Sequence, residues 1–71
     1  MYTGYQIKNN RIYGPEESGK YRINNDRIYG PKKSGEYSIR NGRIYGPSDS
    51  GKYYVSGRYI YGPEKKLPWM K

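Results

Sequence analysis

The chain has 71 residues, with 14 Lys plus Arg against 6 Asp plus Glu, a formal net charge of +8, and neither Cys nor His. It is long enough for one small domain, and its composition excludes a disulfide framework, a thiolate metal site, a Cys nucleophile and a His general base. Hydrophobic residues make up 32% of it, with 11 Tyr, one Trp and no Phe, so any core must be built from Tyr and Ile, both strand formers.

From Tyr5 onward the chain repeats with a period of 16 residues: YQIKNNRIYGPEESGK, YRINNDRIYGPKKSGE, YSIRNGRIYGPSDSGK, then YYVSGRYIYGPEKKLPWMK. A fixed period is the first organising signal of a sequence. The single domain 1–71 therefore divides into repeats 5–20, 21–36, 37–52 and 53–68, with a C-terminal tail 67–71.

Each repeat predicts one β-hairpin. Its first strand alternates, as in Tyr21-Arg22-Ile23-Asn24, the pattern of a half-buried strand. A turn pair follows: Asn9-Asn10, Asn25-Asp26, Asn41-Gly42 and Gly57-Arg58. The first three suit a type I′ turn, which needs positive φ twice, and the last suits type II′. The return strand runs to a Gly-Pro step such as Gly30-Pro31, where Pro has no N–H for the ladder. Pro-x-x-Ser-Gly segments then turn into the next repeat, and Gly or Pro interrupts every window that could be helical.

A two-residue turn fixes the register. Asn24 faces Arg27, Ile23 faces Ile28, Arg22 faces Tyr29 and Tyr21 faces Gly30. Alternation then places Tyr21, Ile23, Ile28 and Gly30 on one face and Arg22, Asn24, Arg27 and Tyr29 on the other. The predicted core is Ile7, Ile12, Ile23, Ile28, Ile39, Ile44, Val55 and Ile60, bordered by Tyr5, Tyr21, Tyr37 and Tyr53. So small a core favours hairpins that share one centre, and it favours a homo-oligomer. Trp69 falls four periods after Tyr5, at the position of a fifth first-strand Tyr. The expectation is that Leu67-Pro68-Trp69 lies beside Met1-Tyr2 and closes a ring. The fold class expected is all-β: four hairpins around a small Ile/Tyr core, radial or as a meander, closed by the tail.

The signature Ile39-Arg40-Asn41-Gly42-Arg43-Ile44-Tyr45-Gly46-Pro47, repeated with small changes over almost the whole chain, resembles the four-fold beta-flower proteins. That resemblance implies a radial hairpin fold and no particular activity. The repeats are also similar in style to cell-wall-binding and MORN hairpin repeats. They lack the Trp-rich ligand cages of the first and the longer period of the second.

No catalytic constellation is legible, and a non-enzymatic protein without a cofactor or metal is expected. Glu16, Glu17, Asp26, Glu36, Asp49 and Glu64 lie mostly in turns, with no recurring pair spaced for acid–base work. Ser18, Ser34 and Ser50 sit beside Gly as turn residues, with no His to activate them. No apolar run is long enough for a membrane span or a signal peptide, so a cytoplasmic location and no membrane partner are expected.

The polar hairpin face is the functional candidate. It carries Arg11 with Tyr13, Arg27 with Tyr29, and Arg43 with Tyr45. In the fourth repeat Tyr59 stands in place of Arg, beside Tyr61 and Tyr54. Arg22 and Arg40 add to the same face. Arg supplies a forked phosphate donor and Tyr a ring on which bases stack. With a charge of +8, the leading expectation is a nucleic-acid partner, single-stranded DNA or RNA. The same Tyr could instead pack on Pro15, Pro31, Pro47 and Pro63, with Arg as structural cover. A second reading is a protein-interaction or assembly module, such as a small phage or mobile-element inhibitor. The turns Glu16-Glu17, Lys32-Lys33, Ser48-Asp49 and Glu64-Lys65-Lys66 alternate in charge, which offers complementary patches for association. A third reading is a carbohydrate-binding repeat.

Overall fold

The computed structural model describes residues 1–70. Lys71, the last residue of the expected tail, lies outside the described residues. Eight short strands follow one another: β1 (Tyr2–Lys8), β2 (Arg11–Tyr13), β3 (Tyr21–Asn24), β4 (Arg27–Tyr29), β5 (Tyr37–Arg40), β6 (Arg43–Tyr45), β7 (Tyr53–Ser56) and β8 (Tyr59–Tyr61). Every neighbouring pair is antiparallel, and β8 pairs with β1, so the four hairpins form a closed barrel 24 × 23 × 23 Å in extent. Closure leaves no sheet edge unpaired.

The turns behave as their residues require. Asn9 and Asn10 (φ 52° and 62°), Asn25 and Asp26 (52° and 63°), and Asn41 and Gly42 (52° and 75°) all lie in the left-handed region, as type I′ demands. Only Gly57 does so in the fourth turn (φ 64°), as type II′ demands. The predicted register follows, with Ile7 opposite Ile12, Ile23 opposite Ile28, Ile39 opposite Ile44 and Val55 opposite Ile60.

One bond joins each hairpin turn to the next hairpin in a cyclic set. The backbone N–H groups of Ile23, Ile39 and Val55 donate to the carbonyls of Asn10, Asp26 and Gly42, and that of Ile7 donates to Arg58 to complete the circle. The other set of turns, Pro-x-x-Ser-Gly, is held from within. Gly19, Gly35 and Gly51 donate to Ile12, Ile28 and Ile44. The hydroxyls of Ser18, Ser34 and Ser50 accept from the N–H groups of Gly14, Gly30 and Gly46 at 3.1, 3.2 and 3.3 Å. These serines are turn residues, as the sequence indicates.

The core is weighted differently from the expectation. Tyr5, Tyr21, Tyr37 and Tyr53 are not its border but its centre, at most 3% exposed, together with Ile12, Ile28, Ile44 and Ile60. Ile7, Ile23, Ile39 and Val55 pack on this cluster but are only partly buried. Two facts explain the exchange. Each core Tyr ring lies across the glycine opposite it in its hairpin, Gly14, Gly30, Gly46 or Gly62, so closely that a Cβ there would stand 2.2 Å from the ring's Cδ2. Meanwhile the residues two positions along sit level with the neighbouring hairpin turn, at the barrel's open rim.

Closure is made by strand β1 on strand β8, not by a strand from the tail. Tyr2 stands opposite Tyr61 and Gln6 opposite Tyr59, with a register shift between them where Gly4 takes φ 92°. The Met1 ammonium donates to the Gly62 carbonyl and the Gly62 N–H to the Met1 carbonyl, both at 2.9 Å. Thr3 Oγ1 donates to Ile60 O at 2.8 Å. Met1–Thr3 therefore does for β8 what a Ser-Gly turn does for β2, β4 and β6.

The tail turns inward and closes the barrel's other end. Leu67, Trp69 and Met70 are buried, with Pro68–Met70 forming a single 3-10 turn. The Trp69 ring lies 5.9 Å from Tyr21 and 5.4 Å from Tyr37 between centroids. The tyrosine hydroxyls reach the rim around this plug. Tyr21 donates to Glu17 Oε1 at 3.0 Å, Tyr37 shares a hydrogen bond with Ser48 Oγ, and Tyr53 donates to the Lys66 carbonyl.

Two predictions follow from this packing. Gly30→Ala forces the Tyr21 ring out of its seat and should destabilise the fold by about 1–3 kcal/mol in urea titrations. Burial, then the hydrogen bond to the Glu17 carboxylate and its charge, push the Tyr21 phenol from 10.0 up to about 12, and burial beside Glu16 raises Tyr5 as well. The folded state thus holds these protons longer than the unfolded chain. Their contribution is complete below pH 10 and is lost as pH rises from 10 to about 12. Melting temperature should stay level up to pH 10 and then fall, and less steeply in Tyr21→Phe.

Candidate functional site

Alternation turns every second strand residue outward, and closure joins these residues into four rows that cross from one hairpin to the next. One row is Arg11–Arg22–Tyr29, from the pairs Arg11/Arg22 and Arg22/Tyr29. The next is Arg27–Ser38–Tyr45. The third is Arg43–Tyr54–Tyr61 and continues to Tyr2. The last is Tyr59–Gln6–Tyr13. All eleven expected contact residues (Arg11, Tyr13, Arg22, Arg27, Tyr29, Arg40, Arg43, Tyr45, Tyr54, Tyr59 and Tyr61) point outward, but their grouping differs. Arg11 is joined through Arg22 to Tyr29 of the next hairpin, rather than paired only with Tyr13 along its own strand.

The strands carry charge of one sign. Lys8, Arg11, Arg22, Arg27, Arg40 and Arg43 lie in them, and all six acidic residues lie in turns or at their ends. Three cross-strand pairs set like charges opposite each other: Lys8 with Arg11, Arg11 with Arg22, and Arg40 with Arg43. Directly opposed like charges destabilise a sheet. Two concavities lie in the densest cationic sector. A groove of about 280 Å³ is lined by Arg11, Lys20, Arg22, Tyr29, Gly30 and Ser34. A neighbouring one of about 330 Å³ runs from Arg11 and Arg22 to the Asn9-Asn10 turn.

The repeated Arg and Tyr also have structural work. Nη1 of Arg11, Arg27 and Arg43 donates to the carbonyls of Gly19, Gly35 and Gly51 at 3.0, 3.1 and 3.0 Å. The rings of Tyr13, Tyr29 and Tyr45 lie against those same glycines. Each Arg uses one of its five donors in this way, so the guanidinium is positioned by the turn while its other edge faces solvent. Arg22 and Arg40 donate to no turn carbonyl among the described residues.

The row Arg43–Tyr54–Tyr61–Tyr2, with Tyr59 beside it, differs. Tyr54 and Tyr61 stack at 5.3 Å and 13° between planes. Tyr2 meets Tyr59 edge-on at 5.5 Å and Tyr61 at 5.6 Å. Arg43 lies 5.9 Å from the Tyr54 centroid. Trp69 takes no part, because it is committed to the interior. Sequence reasoning missed Tyr2. Its signal was the alignment of Tyr2-Thr3-Gly4-Tyr5 with Ser34-Gly35-Glu36-Tyr37 one unit ahead of the repeats, which replaces a turn serine with a ring at the closing seam.

Among the described residues no three Asp, Glu, His or Cys side chains come together as a metal-binding group, and no helix is long and apolar enough to cross a membrane. Comparison with protein-family models, curated proteins and solved structures gave no match to this chain.

The bracing role is testable by itself. Arg27→Met keeps the aliphatic stem and removes the donor to Gly35. It should cost about 1 kcal/mol of stability in chemical denaturation, with the loss localised by faster amide exchange in Lys32–Gly35.

Proposed function

We propose that this protein is a non-catalytic module that binds nucleic acid, as single-stranded DNA or RNA, on the outer face of its barrel, and that it is a member of the four-fold beta-flower proteins. The observation that carries this reading is the opposition of like charges: Lys8, Arg11 and Arg22 in consecutive strands, and Arg40 opposite Arg43. Such an arrangement works against the sheet alone and is relieved by a polyanion lying across it. Tyr29, Tyr45 and Tyr61 stand third in the three rows that begin with an Arg, and Tyr29 lies directly opposite Arg22. A phosphate chain held there keeps its bases within reach of aromatic rings. The family reading rests on the four-fold hairpin repeat and its closure into one barrel.

Fluorescence anisotropy with short labelled single- and double-stranded DNA and RNA, at about 50 and 200 mM salt, tests the reading, because phosphate contacts lose much of their affinity across that range. Binding at the lower salt that weakens steeply at the higher is the expected result. Arg22 and Arg40 are better probes than the turn-bracing Arg11, Arg27 and Arg43. Arg22→Gln with Arg40→Gln should weaken binding to all sequences alike and lower the salt slope by about 2, roughly one per phosphate contact removed. Unchanged affinity and slope in that variant would show that the barrel face is not the site.

A further inference from the structure

We infer that the sector Arg43–Tyr54–Tyr61–Tyr2, with Tyr59, is a stacking platform for unpaired bases, so that discrimination between single and double strands resides in one quarter of the barrel while phosphate attraction is spread around it. This rests on the nucleic-acid reading above and assigns to it a particular place.

The four rows share one design, a first-position Arg or Tyr and a third-position Tyr, and differ in the middle, where Gln6, Arg22, Ser38 and Tyr54 stand. Only the fourth middle residue supplies a ring, and only the closing seam adds another, Tyr2, beyond the end of a row. The repeated Tyr13, Tyr29 and Tyr45 are partly buried against their turn glycines, whereas Tyr61, also partly buried, is covered by the rings of Tyr54 and Tyr2. Tyr2, Tyr54 and Tyr59 are 44%, 41% and 42% exposed. No Ser-Gly turn follows β8 to receive the ring of Tyr61, the counterpart of Tyr13, Tyr29 and Tyr45, because Met1–Thr3 takes that place in the ladder, and Tyr61 turns to Tyr54 and Tyr2 instead.

The platform is also held in shape before any ligand arrives. The near-parallel Tyr54/Tyr61 stack and the edge contact of Tyr2 on Tyr59 fix ring directions, which lowers the ordering cost of binding. The occupant is identified by charge as well as by shape. Arg43 lies beside the Tyr54 ring, Arg40 stands opposite Arg43, and no acidic residue lies in any strand. A planar, uncharged base on an anionic backbone satisfies both the rings and the guanidinium. A stacked duplex presents phosphates to Arg43 but no free base face to Tyr54.

The test uses the intact protein with three labelled probes of equal length: single-stranded oligothymidine, an abasic oligomer carrying the same phosphates, and a duplex. Wild type should bind oligothymidine about tenfold or more tightly than the abasic strand, the scale of stacking one or two bases. Tyr54→Ala with Tyr59→Ala removes exposed side chains and should abolish that preference, leaving abasic-strand affinity and salt slope unchanged. Tyr54→Phe should restore it. If wild type binds both strands equally, the phosphate reading stands and the platform is wrong. The platform also falls if the double variant keeps its preference for bases, or if its main effect is to dissociate a dimer seen by light scattering. Absence of binding to every probe at about 50 mM salt would remove the nucleic-acid reading itself, and the platform with it.

Discussion

The barrel depends on a contact made four times, the face of a tyrosine laid on the bare backbone of a glycine. Tyr5 on Gly14, Tyr21 on Gly30, Tyr37 on Gly46 and Tyr53 on Gly62 each bring a large ring inside a wall whose strands, β1 apart, are only three or four residues long. An ordinary residue opposite the tyrosine would hold the ring away by the depth of a Cβ. The glycine therefore sets how far the rings converge, and the space left among them admits the Trp69 plug. It also decides where the phenol hydroxyls go. Rings aimed inward and toward the plugged end place their oxygens at the rim, where Glu17, Ser48 and Lys66 receive them. A core of this kind suits a chain too short to bury many aliphatic residues.

The closed barrel has one seam, where β8 meets β1, and the asymmetry of the outer face arises there. Three hairpins pass to the next through Pro-x-x-Ser-Gly. The fourth hairpin is followed around the barrel by β1, so its exit is released from turn duty and carries Leu67 and Trp69 into the core. The missing turn is replaced by Met1–Thr3, whose backbone and Thr3 hydroxyl take over the bonds to Gly62 and Ile60. A backbone substitute has no ring-receiving Ser-Gly surface, and the aromatic residues of the seam contact one another instead. Closure of the fold and the tyrosine cluster are thus two outcomes of one topological necessity.

Local rules made much of this legible in the sequence. The turn pairs dictated their own backbone signs, the signs dictated a two-residue connection, and that connection dictated which residues face inward. What lay beyond local reasoning was everything that depends on the neighbour across a hairpin boundary. The length of the Pro-x-x-Ser-Gly turn determines that Arg11 meets Arg22 and not Tyr21, and no property of a single repeat encodes it. The same gap hid the roles of the core residues. Ile23 and Ile28 look equivalent in a flat hairpin, yet curvature leaves Ile23 at the rim beside the Asn10 carbonyl and carries Ile28 to the centre. Spacing matched Trp69 to the first-strand tyrosines, but the structure places it in a 3-10 turn against Tyr21 and Tyr37, because β1 already occupies the ladder on β8.

The outer face separates two demands that repeats usually confound. A residue kept in every unit can be kept for folding, and Arg11, Arg27 and Arg43 meet that description, since each braces the turn that follows it. Their use of one donor apiece leaves a guanidinium held at fixed geometry, which is a favourable state for meeting phosphate. The middle positions of the rows carry no such folding duty, and it is there that Gln6, Arg22, Ser38 and Tyr54 diverge. Where structure is indifferent, charge has been placed against charge at Arg22 and ring against ring at Tyr54. Local conflict of the first kind is expected where a surface is shaped for something other than its own stability. A scaffold that repeats its bracing residues and varies the residues between them presents four sectors of different chemistry on one barrel, with the cationic sector of β2–β4 and the aromatic sector of β6–β8 and β1 on opposite sides of the ring.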